Sequence, residues 1–552
     1  MGRVLVIVLD VPQSALHAWS VQRERSHRSR VANRLDAALV KALGDLPQAE
    51  RVARKGSRGA VLPRSPAKVT STRFEQTAKM AAAGLQVTLE TSPRVRRVVA
   101  CQQMDYAPGV TVREILYEVP LGAEAPVSSA FAAAPEKHRH VLTEAGDLAP
   151  LTTFVCERDS WRWPVADGIV VDIVFNRFHA STEGDAPPSR ELHLTTPFVD
   201  DAPGASLAAL FAAAYALVAA LPAFPVLRTA LDRACCAADA SPVEATAADA
   251  HEATTPIRAA PIDLAGVSTP QAALTTIGCN VADQWFGNDA GVRDAVSTEF
   301  VHQMRIAQRR LRTALRIFPH WQDEVWTARI APDLKWLGSV LGEARDWDVF
   351  VDSTLPALAA ADADSTRWIA ICERADARRL EARTALKTAM GSARYAQLAL
   401  AWLEWLSGLP SREPPAKAAD TSLRAYAQKR VQRYYKRLIR APKLTTLDEQ
   451  ARHKERIQAK YLRYTLEFFE SIASQKTRKE SAKTVARMQS VLGDGNDAAV
   501  ALRYLEQVDA PPYQAGFAHG WCEASKRYTA QEGERLLRRL RKPKITGGAG
   551  GG

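Results

Sequence analysis

Residues 301–318 (VHQMRIAQRRLRTALRIF) place apolar and cationic side chains with the period of an α-helix. At about 100° per residue, one side of this helix is apolar and contains Met304, Ala307, Leu311, Ala314, Leu315 and Phe318. The opposite side contains His302, Arg305, Arg309, Arg312 and Arg316. A helix that needs only solubility usually mixes both charges on its outer face, so this row predicts a polyanionic partner.

The same arrangement returns in residues 453–469 (HKERIQAKYLRYTLEFF), 151 residues further along, which is the separation between His302 and His453. This shift superposes a second row on the first, formed by His453, Arg456, Lys460 and Arg463. Without a change of offset it also aligns SVLGEARDWDV (339–349) with SVLGDGNDAAV (490–500). We infer an internal duplication of a helical unit, with the two cationic rows facing each other across a pseudo-twofold axis.

A third basic stretch, residues 423–440, contains seven Lys or Arg residues and no acid. Its cations recur one helical turn apart, at Lys429, Arg433, Lys436 and Arg440. We predict that they line the same groove as the second row. Residues 373–387 also contain several basic residues, but the acids Glu373, Asp376 and Glu381 are interspersed among them, which is typical of a solvated face of mixed charge.

Each cationic helix is followed by the motif SVLG-x-x-x-D. Glycine is common where helices end, and Asp is common where they begin. We therefore predict that Gly342 and Gly493 end helices and that Asp346 and Asp497 cap the following ones. An acidic metal loop at residues 494–497 is an alternative, although the first copy lacks the spacing of a calcium loop.

Residues 1–233 read as mixed α and β structure. We predict strands at 3–9, 169–175 and 191–194, with turns at the Pro and Gly clusters near residues 54–66, 185–188 and 197–204. Residues 234–268 are rich in Ala, Thr, Pro and Asp, which predicts a flexible linker. Residues 269–544 form the predicted helical domain, and the Gly-rich residues 545–552 a disordered tail.

An uncharged stretch at residues 205–227 is long enough to cross a membrane. It is dominated by alanine and is interrupted by Pro222 and Pro225. Its larger apolar residues recur with helical spacing, so we predict instead a helix that faces the core with Leu207, Leu210, Phe211, Ala214, Leu217, Val218 and Leu221.

Composition narrows the class of partner without selecting one. Lys plus Arg exceed Asp plus Glu by 73 to 61, a net charge of +12. This excess suits nucleic acid, an anionic membrane or polyphosphate. The seven cysteines include no C-x-x-C pair, and their odd number argues against a disulfide framework, so we expect a cytoplasmic protein.

The helical region resembles the CHAD domain, an α-helical family named for its conserved histidines. The resemblance rests on the His-x-x-Arg that opens each cationic row, on the basic residue at each following turn, and on SVLG-x-x-x-D after each copy, and it covers about residues 269–541. It implies an all-α domain of two pseudo-symmetric four-helix bundles, polyphosphate as the ligand, and association with polyphosphate granules.

Residues 1–233 resemble a CYTH domain of the triphosphate tunnel family. The resemblance rests on the order of LDVPQSALHAW after the first strand, AAAGLQVTLE after a turn, and the hairpin WRWPVADGIVVDIVFNR. It implies an antiparallel β-barrel of eight strands that binds triphosphate, with a metal ion held by a first-strand Glu-x-Glu-x-Lys motif.

The chain departs from that family at the residues that bind the metal. Where the motif should stand it reads GRVLV (residues 2–6), and the strand after Gly84 has Thr88 and Glu90 in place of two basic residues. A hard cation such as Mg²⁺ needs oxygen ligands, so loss of the carboxylates removes the Lewis acid that would polarise the phosphoryl group. We predict a degenerate, non-catalytic domain without cofactor or metal, in which three family positions remain as scattered charged residues: Arg158, Asp172 and Glu191.

Together these patterns predict a non-enzymatic polyphosphate-binding protein on cytoplasmic granules, with other granule-associated proteins as further partners and no membrane. His302 and His453 are predicted to contact phosphate, the alternative being capping or packing roles. A metal-dependent triphosphatase is one alternative function. A nucleic-acid-binding protein is the other, although the tyrosines at residues 434, 435, 461 and 464 have the spacing of core residues rather than of a stacking platform.

Overall fold

A computed structural model describes residues 2–23, 31–46, 50–51, 67–93, 95–165, 168–180, 189–199, 203–233, 255–294, 297–416, 418 and 420–546. The predicted turns near residues 54–66 and 185–188, most of the predicted linker (234–254) and residues 547–552 of the predicted tail lie outside this set. The chain divides into two compact units, Met1–Thr254 with Gly391–Gly408, and Thr255–Met390 with Leu409–Gly552.

The first unit is built on an antiparallel β-sheet. Its strands are β1 (Arg3–Asp10), β2 (Glu50–Arg51), β3 (Ala67–Phe74), β4 (Leu85–Thr91), β5 (Arg96–Ala107), β6 (Val110–Pro120), β7 (Pro150–Pro164), β8 (Val170–Ala180), β9 (Ser189–Pro197) and β10 (Phe224–Pro225). The strands predicted at 3–9, 169–175 and 191–194 are confirmed as β1, β8 and β9, of which β8 and β9 are longer than predicted.

Within the described part of the chain, eight of these strands close into a ring in the order β1-β6-β5-β4-β3-β7-β8-β9. The ring closes because β9 pairs with β1, with Leu5 opposite Thr196 and Leu9 opposite Leu192. Closure leaves these strands without a free edge. The predicted eight-stranded antiparallel β-barrel is confirmed.

Helices make up most of the remaining structure. The first unit contains α1 (Gln13–Arg23), α2 (Val31–Gly44), α3 (Ala78–Ala82), α4 (Glu136–Ala145) and α5 (Pro203–Ala220). The later helices are α6 (Pro270–Gly287), α7 (Asp289–Asp294), α8 (Thr298–Ile317), α9 (Ala331–Val349), α10 (Leu355–Ala361), α11 (Ile369–Met390), α12 (Ala393–Gly408), α13 (Leu423–Ile439), α14 (Glu449–Phe468), α15 (Lys483–Gln507) and α16 (Pro512–Arg539).

Helix α5 covers the outside of the barrel and packs on β1, β8 and β9. Among the described residues it is the one helix long and apolar enough to meet the length and composition of a membrane span. All seven residues predicted to face the core are buried: Leu207, Leu210, Phe211, Ala214, Leu217, Val218 and Leu221. The predicted core helix is therefore confirmed.

Helix α12 packs against α5, although it lies between helices of the second unit in the sequence. The Tyr215 hydroxyl donates a 2.8 Å hydrogen bond to Glu404, and Phe224 and Tyr395 bring their rings to 6.3 Å. Trp402 and Leu406 are buried. The chain therefore returns to the first unit after α11 and leaves it again after α12.

The second unit repeats itself at the offset read from the sequence. Helices α8 and α14 begin and end at residues 151 positions apart, and each is followed by a 3₁₀ turn at equivalent residues, Pro319–Trp321 and Glu470–Ile472. The π-helical segments Trp326–Ile330 and Thr477–Ala482 also begin at equivalent positions. The duplication thus includes the 3₁₀ turns and the π-helical segments, whose positions general helix propensity does not explain.

Within the described residues, α6, α8, α9 and α11 pack as one four-helix bundle, and α13, α14, α15 and α16 pack as a second. The two bundles meet through α8 and α14. At this contact the repeat-equivalent Phe318 and Phe469 place their ring centroids 6.2 Å apart. The predicted pair of pseudo-symmetric bundles is confirmed.

Two segments flank these helices. Residues 255–268, the described end of the predicted linker, lie on the second unit: Leu264 is buried, and Asn288 hydrogen bonds to the backbone N–H and carbonyl of Ile257. At the other end, Ile545 is buried and forms a β-bridge with Ala473.

Candidate functional site

Helix α8 contains the first cationic row. It begins after Ser297, whose hydroxyl accepts a hydrogen bond from the N–H of Glu299. The predicted packing face is confirmed, because all of its members are buried: Met304, Ala307, Leu311, Ala314, Leu315 and Phe318. On the cationic face Arg312 and Arg316 are exposed, whereas three residues are half-buried: His302, Arg305 and Arg309.

Helix α14 contains the second row. It begins after Asp448, which occupies the repeat position of Ser297 and accepts a 2.7 Å hydrogen bond from the N–H of Ala451. His453 at the start of the row is exposed. The rest of the row is half-buried: Arg456, Lys460 and Arg463.

The two rows come together where α8 packs on α14. Burial, followed by the charges of the neighbouring arginines, lowers the pKa of Lys460 to about 7, and these arginines are Arg309, Arg456, Arg312 and Arg305. We call Lys460 and these four arginines the central cation cluster. Since four guanidinium groups from both helices act on one amine, the rows face each other as the sequence predicted.

Tyrosines of α14 contact arginines of both cationic rows. Arg309 lies over the ring of Tyr464, and Arg463 lies over the same tyrosine, at 6.0 and 5.2 Å from its centroid. Arg316 lies 4.8 Å from the ring centroid of Tyr461. Such cation–π contacts orient guanidinium groups without neutralising them.

Two aspartates at repeat-equivalent positions are the acids nearest to the cluster. Arg305 forms a 3.1 Å ion pair with Asp346, and Asp497 offsets part of the lowering that burial and Arg309 impose on the pKa of Arg456. Among the described residues, Arg305 Nη1 and Arg456 Nε are buried without a hydrogen-bond partner. The cluster therefore has more cations than acids and unused donors, which is the composition of an anion-binding site.

Arg312 and Arg463, the fourth members of their rows, are fixed by hydrogen bonds. Arg312 donates to the Leu334 carbonyl at 2.7 Å, and Arg463 donates to the Gln489 side chain at 3.1 Å. Gln489 is the repeat equivalent of Gly338. A Cβ atom at Gly338 would lie 2.5 Å from Arg312 Nη2, so a larger residue there would displace the end of this arginine.

The two predicted histidines have different surroundings. Burial, and then the charge of Arg345, lowers the pKa of His302. His453 lies 2.9 Å from the side-chain oxygen of Asn496, which is the repeat equivalent of Arg345. The same position of the following helix therefore acts on both histidines, through the charge of Arg345 on His302 and the contact of Asn496 with His453, and phosphate contact remains a prediction for each.

The third basic row lies apart from the central cation cluster. All four of its members are exposed: Lys429, Arg433, Lys436 and Arg440. They occupy the side of α13 opposite to the buried Tyr434 and Leu438. Within the described residues no hydrogen bond, ion pair or ring contact joins this row to the cluster, so the predicted shared groove remains a prediction.

Arg310 is the main residue that the sequence analysis missed. It is completely buried and donates from Nε to Glu467 of α14 at 2.7 Å. Its remaining donors reach Gln284 and Asn280 of α6 at 2.9 and 2.7 Å. Arg310 therefore joins the two bundles rather than serving a ligand, and only its place on the packing side of α8 distinguishes it in the sequence.

The prediction for SVLG-x-x-x-D was wrong. Gly342 and Asp346 lie inside α9, and Gly493 and Asp497 lie inside α15, so none of them ends or begins a helix. The glycine serves the cluster instead, because a Cβ atom at Gly342 would lie 2.8 Å from Arg305 Nη1. As for the alternative metal loop, no group of three or more His, Cys, Asp or Glu residues in the described chain is arranged to hold a metal ion.

The barrel of the first unit contains a separate network. Glu90 accepts hydrogen bonds from Arg97 at 3.0 Å and from Arg158 at 3.1 Å, and Arg97 also donates to Glu118 at 2.7 Å. Glu191 is fully buried beside His193, at 2.9 Å.

Asp172, the third charged residue named at the sequence level, lies apart from this network. Asp172 is largely exposed and lies 3.5 Å from Arg162. On β1, Val6 and Val8 line a small cavity of about 40 Å³ together with Arg113 and His193. The side of β1 that faces these polar groups therefore presents aliphatic side chains.

Comparisons with known proteins agree with this architecture. Residues 278–506 match the family model of the CHAD domain. Among solved structures, the chain is similar to a CHAD domain from the plant Ricinus communis, with 28% identity over 53% of this chain and 100% of that one and a TM-score of 0.47. No curated protein matches the sequence.

Two further solved structures are similar to the chain. PptA from Streptomyces chartreusis has 19% identity over 50% of this chain and 99% of that one, with a TM-score of 0.37. A putative adenylyl cyclase from Hippeastrum, titled as having a dominant triphosphatase activity, has 13% identity over 35% of this chain and 79% of that one, with a TM-score of 0.21.

Proposed function

Because a CHAD domain spans residues 278–506, we propose that this protein binds inorganic polyphosphate through the central cation cluster and thereby associates with polyphosphate granules in the cytoplasm. Polyphosphate bears about one negative charge per phosphoryl unit, and guanidinium groups bind such oxygens in pairs. The two rows repeat along their helices at each turn, about 5.4 Å apart, so a chain lying between α8 and α14 meets a cation at every turn on both sides.

The observation that carries the proposal is the electrostatic state of Lys460. An amine whose pKa falls to about 7 among four arginines is destabilised in its charged form. A polyanion between the rows removes this repulsion, since each phosphate meets guanidinium groups from both helices. The unused donors of Arg305 and Arg456 supply hydrogen bonds to the same ligand.

The same surface favours polyphosphate over nucleic acid. Single-stranded nucleic acids are bound largely by stacking of bases on exposed aromatic rings. Tyr434 and Tyr464 are buried, and the ring of Tyr461 is covered by Arg316. A cationic surface whose neighbouring tyrosines are buried or covered favours a polyanion that has no bases.

We infer no catalysis in the first unit. Val6 and Val8 occupy the side of β1 that faces Arg113 and His193, and Glu90 is committed to Arg97 and Arg158. A scaffold role follows, in which the barrel accompanies the polyphosphate-binding unit. Release of phosphate from triphosphate with Mg²⁺ or Mn²⁺ by the purified protein, if lost on Arg113→Ala, would overturn this inference.

The test measures polyphosphate binding by the full chain at several salt concentrations. A variant with Gln at Arg305, Arg309, Arg456 and Lys460 is compared with a control with Gln at four exposed, ion-paired arginines: Arg378, Arg535, Arg538 and Arg541. The cluster variant should lose at least about 100-fold in affinity, and its salt slope should fall by roughly 0.7 per lost contact.

The control keeps the same change in net charge, so equal losses in both variants would show a nonspecific charge effect and contradict the proposal. Single-stranded DNA should displace polyphosphate only at a much higher phosphate concentration. In cells, a fluorescent fusion of the protein should coincide with polyphosphate granules, and the cluster variant should not.

A further inference from the structure

The second bundle contains a cavity of about 450 Å³ beside the start of the second cationic row. It lies among α14, α15 and α16. His453 and Arg456 border it on the side of the row, and a wall of aliphatic side chains is formed by Leu492, Ala499 and Ala530. Cavities of this size with mostly apolar walls and a few polar groups are typical of small-molecule sites.

The two halves of the repeat differ at this place. Ala499 stands where the first bundle has Asp348, which is fully buried and forms a 2.7 Å ion pair with Arg383 of α11. Asn496 stands where the first bundle has Arg345. Charged side chains of the first bundle therefore stand at the positions where shorter side chains line the cavity in the second.

The polar groups differ between the two ends of the cavity. His453 and Arg456 line the end next to the central cation cluster, so this end suits a phosphate. At the other end Lys526 is bound by Glu449 at 2.9 Å and by Glu523 at 3.1 Å, and Arg452 donates a hydrogen bond to the Lys526 carbonyl at 3.2 Å. The Glu449 carboxylate repels a second phosphate and accepts hydrogen bonds from O–H or N–H groups.

From this arrangement we propose that the cavity binds a nucleotide, with its phosphate at His453 and Arg456 and its nucleoside against Ala499 and Ala530. The flat base packs against the apolar wall, and Glu449 and Asn496 form hydrogen bonds with the polar groups of the nucleoside. The phosphate subsite rests on the proposed function, because Arg456 belongs to the central cation cluster. Nucleotide and polyphosphate therefore compete for the same guanidinium group.

The experiment measures binding of AMP, orthophosphate and adenosine to the full chain by calorimetry, in metal-free buffer. AMP should bind at least tenfold more tightly than orthophosphate and adenosine. Ala499→Phe fills the space beside the aliphatic wall without removing a cation. It should lower the affinity for AMP at least tenfold, while the affinity for polyphosphate changes less than threefold. Val500→Phe, which introduces the same side chain one residue further along α15 at a position that does not line the cavity, is the matched control and should leave AMP binding unchanged.

Each outcome has one meaning. Equal affinities for AMP and orthophosphate, or full AMP binding by Ala499→Phe, would overturn the nucleotide site. If polyphosphate does not bind but AMP binding is lost in Ala499→Phe, the proposed function fails and the cavity stands. Should Ala499→Phe not fold, as judged by circular dichroism, Ala530→Leu on the facing helix tests the same wall, and displacement of polyphosphate by AMP from the unchanged protein tests the shared Arg456.

Discussion

Phe318 and Phe469, which occupy the same position in the two halves of the repeat, pack against each other with ring centroids 6.2 Å apart. Further along the same helix pair, burial and then the charges of Arg309 and of the repeat equivalent Arg305 lower the pKa of Arg456. The helix pair thus passes from an aromatic contact to a region where like charges act on each other. Apolar packing at one end holds together two rows whose charges repel at the other.

The buried pair of Arg310 and Glu467 is expected to be essential for the contact between α8 and α14. Glu467→Ala leaves the fully buried Arg310 guanidinium with one partner fewer, and loss of one member of a buried ion pair costs about 3 kcal/mol. The free energy of unfolding in urea measures this loss. Glu381→Ala, which removes the exposed partner of Arg378, should change it by less than about 1 kcal/mol.

Gly342 and Gly493 offer a matched pair of substitutions inside equivalent helices. Gly493→Ala should stabilise the protein by roughly 0.5–1 kcal/mol, because the site is open and alanine favours a helix. Gly342→Ala brings a Cβ atom to 2.8 Å from Arg305 Nη1 and should displace this group. Loss of one charge-assisted contact should lower the affinity for polyphosphate about tenfold. Equal polyphosphate affinities of the two variants would contradict the role of Arg305.

Polyphosphate affinity is expected to decrease as the pH rises from 7 to 9. In the free protein Lys460 loses its proton above a pKa of about 7, whereas bound phosphate favours the charged amine, so binding takes up a proton in this range. The affinity should fall by up to about tenfold per pH unit.

Lys460→Arg keeps the charge at every pH in this range and is the control for the preceding prediction. The variant should lose the part of the pH dependence that is due to Lys460. Fluorescence anisotropy of labelled polyphosphate measures the affinity at each pH. A slope as steep in Lys460→Arg as in the unchanged protein would assign the proton to another group.

Glu90 is expected to stabilise the barrel in its charged form. Burial raises the pKa of Glu90, but Arg158 and Arg97 outweigh burial, and the net shift is downward. Its contribution is therefore present above the ordinary pKa of 4.5 and is lost as the pH falls through the lower value of the folded state.

Glu90→Gln tests this contribution at neutral pH. It should accelerate hydrogen exchange in β4 and β5 by roughly tenfold, as expected for the loss of charge-assisted hydrogen bonds. Glu144→Gln, at a fully exposed pair with Lys79, should leave these strands unchanged. Unchanged exchange in both variants would show that the network does not stabilise the strands.

Periodicity was sufficient to predict the parts of the site that lie on helix surfaces. The packing and cationic faces of α8 followed from spacing, and the CHAD resemblance is confirmed over residues 278–506. Gly342 was misread because a glycine inside a helix and a glycine at its end look alike until the arginine that crosses it is known. Arg310 was missed because its partners lie on α6 and α14, far away in the sequence.

Helix α12 has a practical consequence for dividing this protein. A single proteolytic cut in residues 234–254 would not free the second unit, because the chain re-enters the first unit at Gly391 and leaves it at Gly408. A fragment that starts at residue 255 would carry α12 without the surface of α5 that covers it, leaving Trp402 and Leu406 open to water and to aggregation. A soluble second unit therefore requires that α12 be replaced by a short polar connection between residues 390 and 409.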